Sequence, residues 1–146
     1  MNNKYSLITG GTAGIGLDIA KELAKRGHNI LLTARREERL KEISASIKEE
    51  FKVDCNYIAA DLADASAPEM IYNFCSENNY IVEILVNNAG YSINKKFHET
   101  GEDEEEKFLR VLGIAVVALT KKFIPSMLEQ KHGKIMMVSS LASFAP

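Results

Sequence analysis

Eight residues near the N-terminus, Thr9-Gly10-Gly11-Thr12-Ala13-Gly14-Ile15-Gly16, have the make-up of a phosphate-cradling turn. A phosphate sits well against backbone N–H groups at a helix N-terminus, where the donors are unpaired and the helix dipole favours an anion; a side chain there would hold it away. Gly10 suits the positive φ of a tight turn, Gly14 the close approach of a ligand, and Gly16 close packing of a helix onto a sheet. The spacing is T-G-x-x-x-G-x-G rather than G-x-G-x-x-G, and a glycine cluster alone also serves an ordinary tight turn.

Four more polar positions carry usable chemistry. Arg35 stands where many dinucleotide folds place the residue that meets the adenosine ribose, and Ala34 before it is not acidic. An arginine there suits a 2′-phosphate through charge-assisted, bidentate hydrogen bonds, so NADP(H) is favoured over NAD(H). Asp61 either accepts a hydrogen bond from an adenine amino group or caps the turn after it. Asn88, with Ala89 and Gly90, suits backbone support of a ribose, while Asn87 is expected to tie strand ends together. Ser140 is the one residue placed for direct work on a substrate, since its hydroxyl can hydrogen-bond a carbonyl or an alcohol. His28, His98 and His132 are scattered, which gives a hydrolase triad no support, and no cluster with metal-ligand spacing is visible.

These residues need elements to position them, and the hydrophobic pattern supplies alternating strands and helices. Tyr5–Ile8 reads as a strand, and Ile15, Ile19, Leu23 and Ala24 recur at helical spacing until Gly27. The run 29–34 has the continuous apolar character of a strand buried on both faces, and a charged helix comes next with Leu40, Ile43 and Ile47 on one stripe. A strand is expected over 55–60, a helix over 67–78 with Pro68 in its first turn, and a strand over 84–86. A long helix is expected over about 103–131, acidic at its start, with Phe108, Val111, Leu112, Ala115, Leu119, Phe123 and Met127 on its apolar face. The run 134–138 is the fifth strand. Such alternation implies one α/β domain over 1–146: a Rossmann-like, doubly wound parallel sheet of about five strands with helices on both faces. Ligands bind such sheets beyond the C-terminal strand ends, and every polar position above falls at one, so a single crevice is expected to gather all five.

Composition excludes other classes. A net charge of −2 gives no electrostatic case for nucleic acid or a membrane surface. No run approaches the roughly 18 apolar residues of a membrane span, and the chain reaches its first strand without the charged and apolar leader of a secreted protein. Cys55 and Cys75 are expected to behave as small buried hydrophobes, which fits a reducing, cytoplasmic setting.

Three stretches together, T-G-x-x-x-G-x-G at 9–16, N-N-A-G at 87–90 and G-K-I-x-x-V-S-S at 133–140, resemble the short-chain dehydrogenase/reductase family over essentially the whole chain. The resemblance implies an NAD(P)-dependent oxidoreductase that moves a hydride between nicotinamide and a small carbonyl or alcohol substrate. It places Gly10, Thr12, Gly14, Ile15 and Gly16 at the pyrophosphate, Arg35 at the 2′-phosphate, Asp61 and Leu62 at the adenine, Asn88 and Gly90 near the ribose, and Ser140 as the catalytic serine. It also implies a homodimer or homotetramer formed through the long helix. Two departures stand out. The family's Tyr-x-x-x-Lys lies roughly a dozen residues beyond the serine, past Pro146, so the chain reads as the N-terminal part of a longer reductase, the alternative being a non-catalytic dinucleotide-binding module. Leu112 occupies the place of a catalytic asparagine.

Overall fold

The computed structural model describes residues 3–144. The chain alternates β1 (Lys4–Thr9), α1 (Gly14–Lys25), β2 (Asn29–Ala34), α2 (Glu37–Phe51), β3 (Cys55–Ala59), α3 (Ala67–Glu77) and β4 (Ile81–Asn87). Beyond a loop come α4 (Glu102–Leu109), a wide π-helical turn (Arg110–Ile114), α5 (Ala115–Glu129) and β5 (Lys134–Met137). The five strands form one parallel sheet in the order β3-β2-β1-β4-β5. The chain therefore winds outward from β1 through β2 to β3, then returns to lay β4 on the other side of β1. Neighbouring crossovers leave in opposite directions there, and a crevice opens above the strand ends.

Continuous apolar strands are what two covered faces require. Ile8, Ile30, Leu32 and Val86 face α1 and α2, where Ala20, Ala24, Leu40, Ile43 and Ile47 meet them. Leu7, Leu31 and Leu85 face the other way, against Ile71 and Cys75 of α3 and the stripe Val111, Ala115, Leu119, Phe123 and Met127. Cys55 and Cys75 are buried as expected, and burial pushes their thiols up to about 11 and about 12 respectively.

Three local readings are corrected. The long helix is not uniform: the π turn inserts extra backbone between α4 and α5 and rotates α5 relative to α4. Its buried residues then recur every fourth position from Val111, and Leu112 falls off the stripe, 42% exposed. The stretch Glu102–Glu129 is also long and apolar enough to cross a membrane by length and composition, with a mean hydropathy of 1.7 over an 18-residue window. Lys121 and Lys122 interrupt the run, but the apolar residues on either side keep the average high, which is why counting consecutive apolar residues missed it. Finally, β4 starts three residues earlier than its apolar core suggests. Glu83 is the extra residue of a bulge there, where the pairing with β1 skips from Val82 to Ile84. Its carboxylate is held by His28 at 3.1 Å, His132 at 3.7 Å and Lys4 at 3.8 Å, at the end of the sheet away from the crevice.

Candidate functional site

The site is built outward from Thr9, the last residue of β1. Its Oγ1 accepts hydrogen bonds from the backbone N–H groups of Asn88 at 2.9 Å and Ala89 at 3.0 Å, and donates to the Val86 carbonyl at 3.3 Å. The Asn88 side-chain amide returns the connection, donating to the carbonyls of Thr9 at 2.9 Å and Gly10 at 3.2 Å. The ends of β1 and β4 are thereby locked together, and the glycine turn starts from a fixed point. Gly10 adopts φ +68°, and a Cβ on it would lie 2.9 Å from the Ala89 Cα. Its own N–H donates to the Thr33 carbonyl at 2.8 Å, which ties the turn to β2 as well.

Gly14, at φ +52°, opens α1. Ala13 before it is extended, and no side chain among the described residues caps the helix, which leaves its first-turn amides without a capping acceptor. No atom lies within 4 Å of where a Gly14 Cβ would be, whereas a Cβ on Gly16 would lie 2.6 Å from the Gly10 carbonyl and collide with the Asn88 amide. Gly16 thus brings α1 against the joined strand ends rather than against the sheet face. Ile15, 61% exposed, stands at the rim.

These walls enclose a cavity of about 620 Å³ over the ends of β1, β2, β3 and β4, a volume within the usual range for organic ligands and cofactors. Gly10, Thr12, Ile15 and Gly16 line one end, Arg35 and Arg36 the β2 side, and Asp61 and Leu62 the β3 side. Asn88 and Gly90 line the β4 side. Neither arginine has a carboxylate partner among the described residues. The Thr33 hydroxyl, in the same wall, is buried with no hydrogen-bond partner among them. One oxygen of Asp61 accepts the Ala63 N–H at 3.0 Å, so this carboxylate shapes its own turn as well as facing the cavity. Asn87 ties the end of β4 to that of β5 as expected, its side-chain amide reaching Met137 Sδ at 3.4 Å, and it also reaches Thr120 Oγ1 of α5 at 3.4 Å.

The expected single crevice gathers four strand ends, not five. Gly14 sits at the turn but is not part of the lining, and Ser140 lies outside the cavity, exposed at the end of β5. The Ser140 carbonyl accepts the Ser143 N–H at 3.0 Å as the chain turns away from the sheet. Because β5 is the edge strand, no wall among the described residues joins its outer side to the cavity. Leu112 reaches the site from the other direction, its Cδ2 packed over Gly90. Among the cavity-lining residues not singled out as site residues from the sequence are Thr33, Tyr91, Lys107 and Val111. Tyr91 and Lys95 have the four-residue spacing of a helical tyrosine-lysine pair, but the chain is irregular there and Lys95 is held by Glu104 at 2.8 Å.

The chain matches the family model for short chain dehydrogenase over residues 4–146. It is 33% identical over 147 residues to a fatty acyl-CoA reductase of Acinetobacter baylyi, covering 99% of this chain and 50% of that protein. It is also 33% identical to the very-long-chain 3-oxoacyl-CoA reductase of Bos taurus, covering 98% of this chain and 46% of that one. L-sorbose reductase from Gluconobacter frateurii, solved with NADPH and L-sorbose, superposes with a TM-score of 0.92 at 33% identity over 98% of this chain and 54% of that structure. A short-chain dehydrogenase from Sphingobium yanoikuyae in complex with NADPH gives 0.91 at 29% identity, over 98% and 56%. The chain spans about half the length of the relatives it matches.

Proposed function

Because this chain belongs to the short-chain dehydrogenase family, we propose that it holds NADP(H) in the cavity above β1–β4 and serves hydride transfer between the nicotinamide and a small carbonyl or alcohol substrate. The observation that carries this reading is a pair of anion-binding ends in one cavity: the uncapped N-terminus of α1 at one, and the unpaired Arg35 and Arg36 at the other. The residues fit the cofactor. Gly10, Thr12, Gly14, Ile15 and Gly16 surround the diphosphate, with the open space at Gly14 admitting it and backbone amides neutralising it. Arg35 takes the 2′-phosphate, which favours NADP(H) over NAD(H). Asp61 and Leu62 border the adenine, and the backbone at Asn88 and Gly90 supports the ribose.

The bound cofactor supplies or accepts the hydride. Ser140 donates its hydroxyl proton in a hydrogen bond to the substrate oxygen and so orients the carbonyl from the end of β5. Proton transfer needs a separate acid, and Tyr91 is not prepared for it, since Lys95 is occupied by Glu104. Absence of a positioned acid costs a factor on the order of 10² to 10⁴ in rate, so these residues supply binding more fully than turnover. The exposed stripe Ile114, Val117, Ile124 and Leu128 suits pairing with a second copy in a homodimer or homotetramer. The two reduced, buried cysteines agree with a cytoplasmic setting.

Fluorescence titration with NADPH and NADH, on wild type and on Arg35→Ala, tests the reading. Wild type binds NADPH more tightly, and Arg35→Ala loses about 10-fold or more for NADPH alone, as expected for removal of a charge-assisted bond. Equal loss for both dinucleotides, or none, overturns the 2′-phosphate assignment. NADPH oxidation with a panel of ketones then separates an enzyme from a binding module: a module binds without turnover.

A further inference from the structure

The first turn of α4 carries four acidic residues, and three carboxylates near Lys107 are committed to other partners. Glu104 holds Lys95 at 2.8 Å, Glu105 accepts the Thr100 hydroxyl at 2.6 Å, and Glu106 holds Arg110 at 2.8 Å. Lys107 itself has no ion-pair or hydrogen-bond partner among the described residues. It lines the cavity, as does Val111 one turn further on. Residues four apart share a helix face, so the buried Val111 anchors against the core the same face of the helix that carries Lys107.

Arg35 and Arg36 come from the β2 end, next to the α1 and α2 layer, whereas Lys107 arrives on the helix that covers the opposite face of the sheet. Three unpaired cations thus border the cavity from two sides, against the single carboxylate of Asp61. The molecule as a whole carries a net charge of −2, so this crevice reverses the molecular sign. Low-dielectric walls with one sign of charge concentrate ligands of the other. The 2′-phosphate reading uses the arginines and leaves Lys107 unexplained.

We propose that Lys107 is a cofactor-contacting residue that borders the cavity from α4 and strengthens binding of NADPH and NADH alike, acting on the diphosphate charge common to both dinucleotides. This rests on the reading that the cavity holds a dinucleotide. An ammonium on a flexible stem acts there as a point charge, unlike the fixed fork of Arg35. The division of labour is testable: Arg35 discriminates between the two cofactors and Lys107 does not.

The experiment is titration of wild type, Lys107→Gln and Lys107→Arg with NADPH and with NADH at low and high salt. Lys107→Gln weakens both dinucleotides by a similar factor, about 3- to 10-fold at low ionic strength, as expected for one solvent-exposed charge at contact distance. The factor shrinks in high salt, and Lys107→Arg retains most of the wild-type affinity. Unchanged affinity in Lys107→Gln overturns the inference while leaving the dinucleotide reading intact. Loss confined to NADPH also overturns it, because Lys107 then belongs to the 2′-phosphate. Wild type that binds neither dinucleotide overturns the reading on which the inference rests.

Discussion

Single residues divide here into those that meet a ligand and those that hold the first group still. Thr9 belongs to the second kind: one buried hydroxyl satisfies two amides and a carbonyl at the ends of two strands. Its place at the head of the glycine motif was legible, but not this role, because the role comes from the pairing of β1 with β4, which is distant in sequence. The glycines were legible, although two act differently from one another. Gly14→Val is expected to abolish NADPH binding by filling the open space of the turn, with a loss of about 1–2 kcal/mol in stability for a side chain at left-handed φ. Gly16→Ala instead forces a collision with the Gly10 carbonyl and Asn88, and is expected to cost about 1–3 kcal/mol by overpacking. Urea unfolding alongside NADPH titration distinguishes them; retained tight binding in Gly14→Val would sink the cradle. Lys107 was hidden for the same reason as the role of Thr9, since only the folded course of α4 brings it over the strand ends.

At the scale of elements, local pattern was read well wherever the period was regular. The expected 29–34 strand is β2 without change, and Pro68 sits in the first turn of α3. The long helix shows where that reading stops. A 3.6-residue period assigns Leu112 to the apolar stripe, but a π turn shifts the phase by adding one residue, and such a turn leaves no mark in residue type. The buried stripe resumes from Ala115. Leu119→Ala, fully buried between α5 and the sheet, is expected to lose about 2–5 kcal/mol. Leu112→Ala, half out in solvent over Gly90, is expected to lose under about 1 kcal/mol. Equal losses in thermal or urea unfolding would mean that Leu112 belongs to the core after all. The β4 bulge escaped notice similarly, because Glu83 reads as an ordinary polar break in an apolar strand.

For the molecule as a whole, a parallel sheet has two unlike ends, and this one separates function from fastening. Opposite the cavity, the Tyr5 hydroxyl donates to Asp54 at 2.5 Å, and Asn56 and Lys48 also donate to that carboxylate. The Tyr5 hydrogen bond, seconded by Lys48, holds Asp54 below its usual 3.8, while burial and the same bond push the Tyr5 phenol above its usual range. A depressed carboxylate contributes stability that is present above its unfolded pKa and is lost as pH falls through the folded value. Asp54→Asn is therefore expected to be less stable than wild type at pH 7, with the gap closing below pH 3.8. A gap in urea unfolding that is constant with pH would remove the carboxylate from the account. The fold class was legible because alternation alone dictates a parallel sheet with its ligand at the carboxyl ends, whereas this fastening at the other end rests on partners from separate segments. The uncapped start of α1 carries one more consequence. Its donors are amides, which do not titrate. On the proposed function, that end of the cavity holds a diphosphate alike in acid and at neutrality, and a weakening toward acid pH seen with NADPH but not NADH would point to the cofactor's own 2′-phosphate taking up its second proton, near pH ~6 for a phosphate monoester.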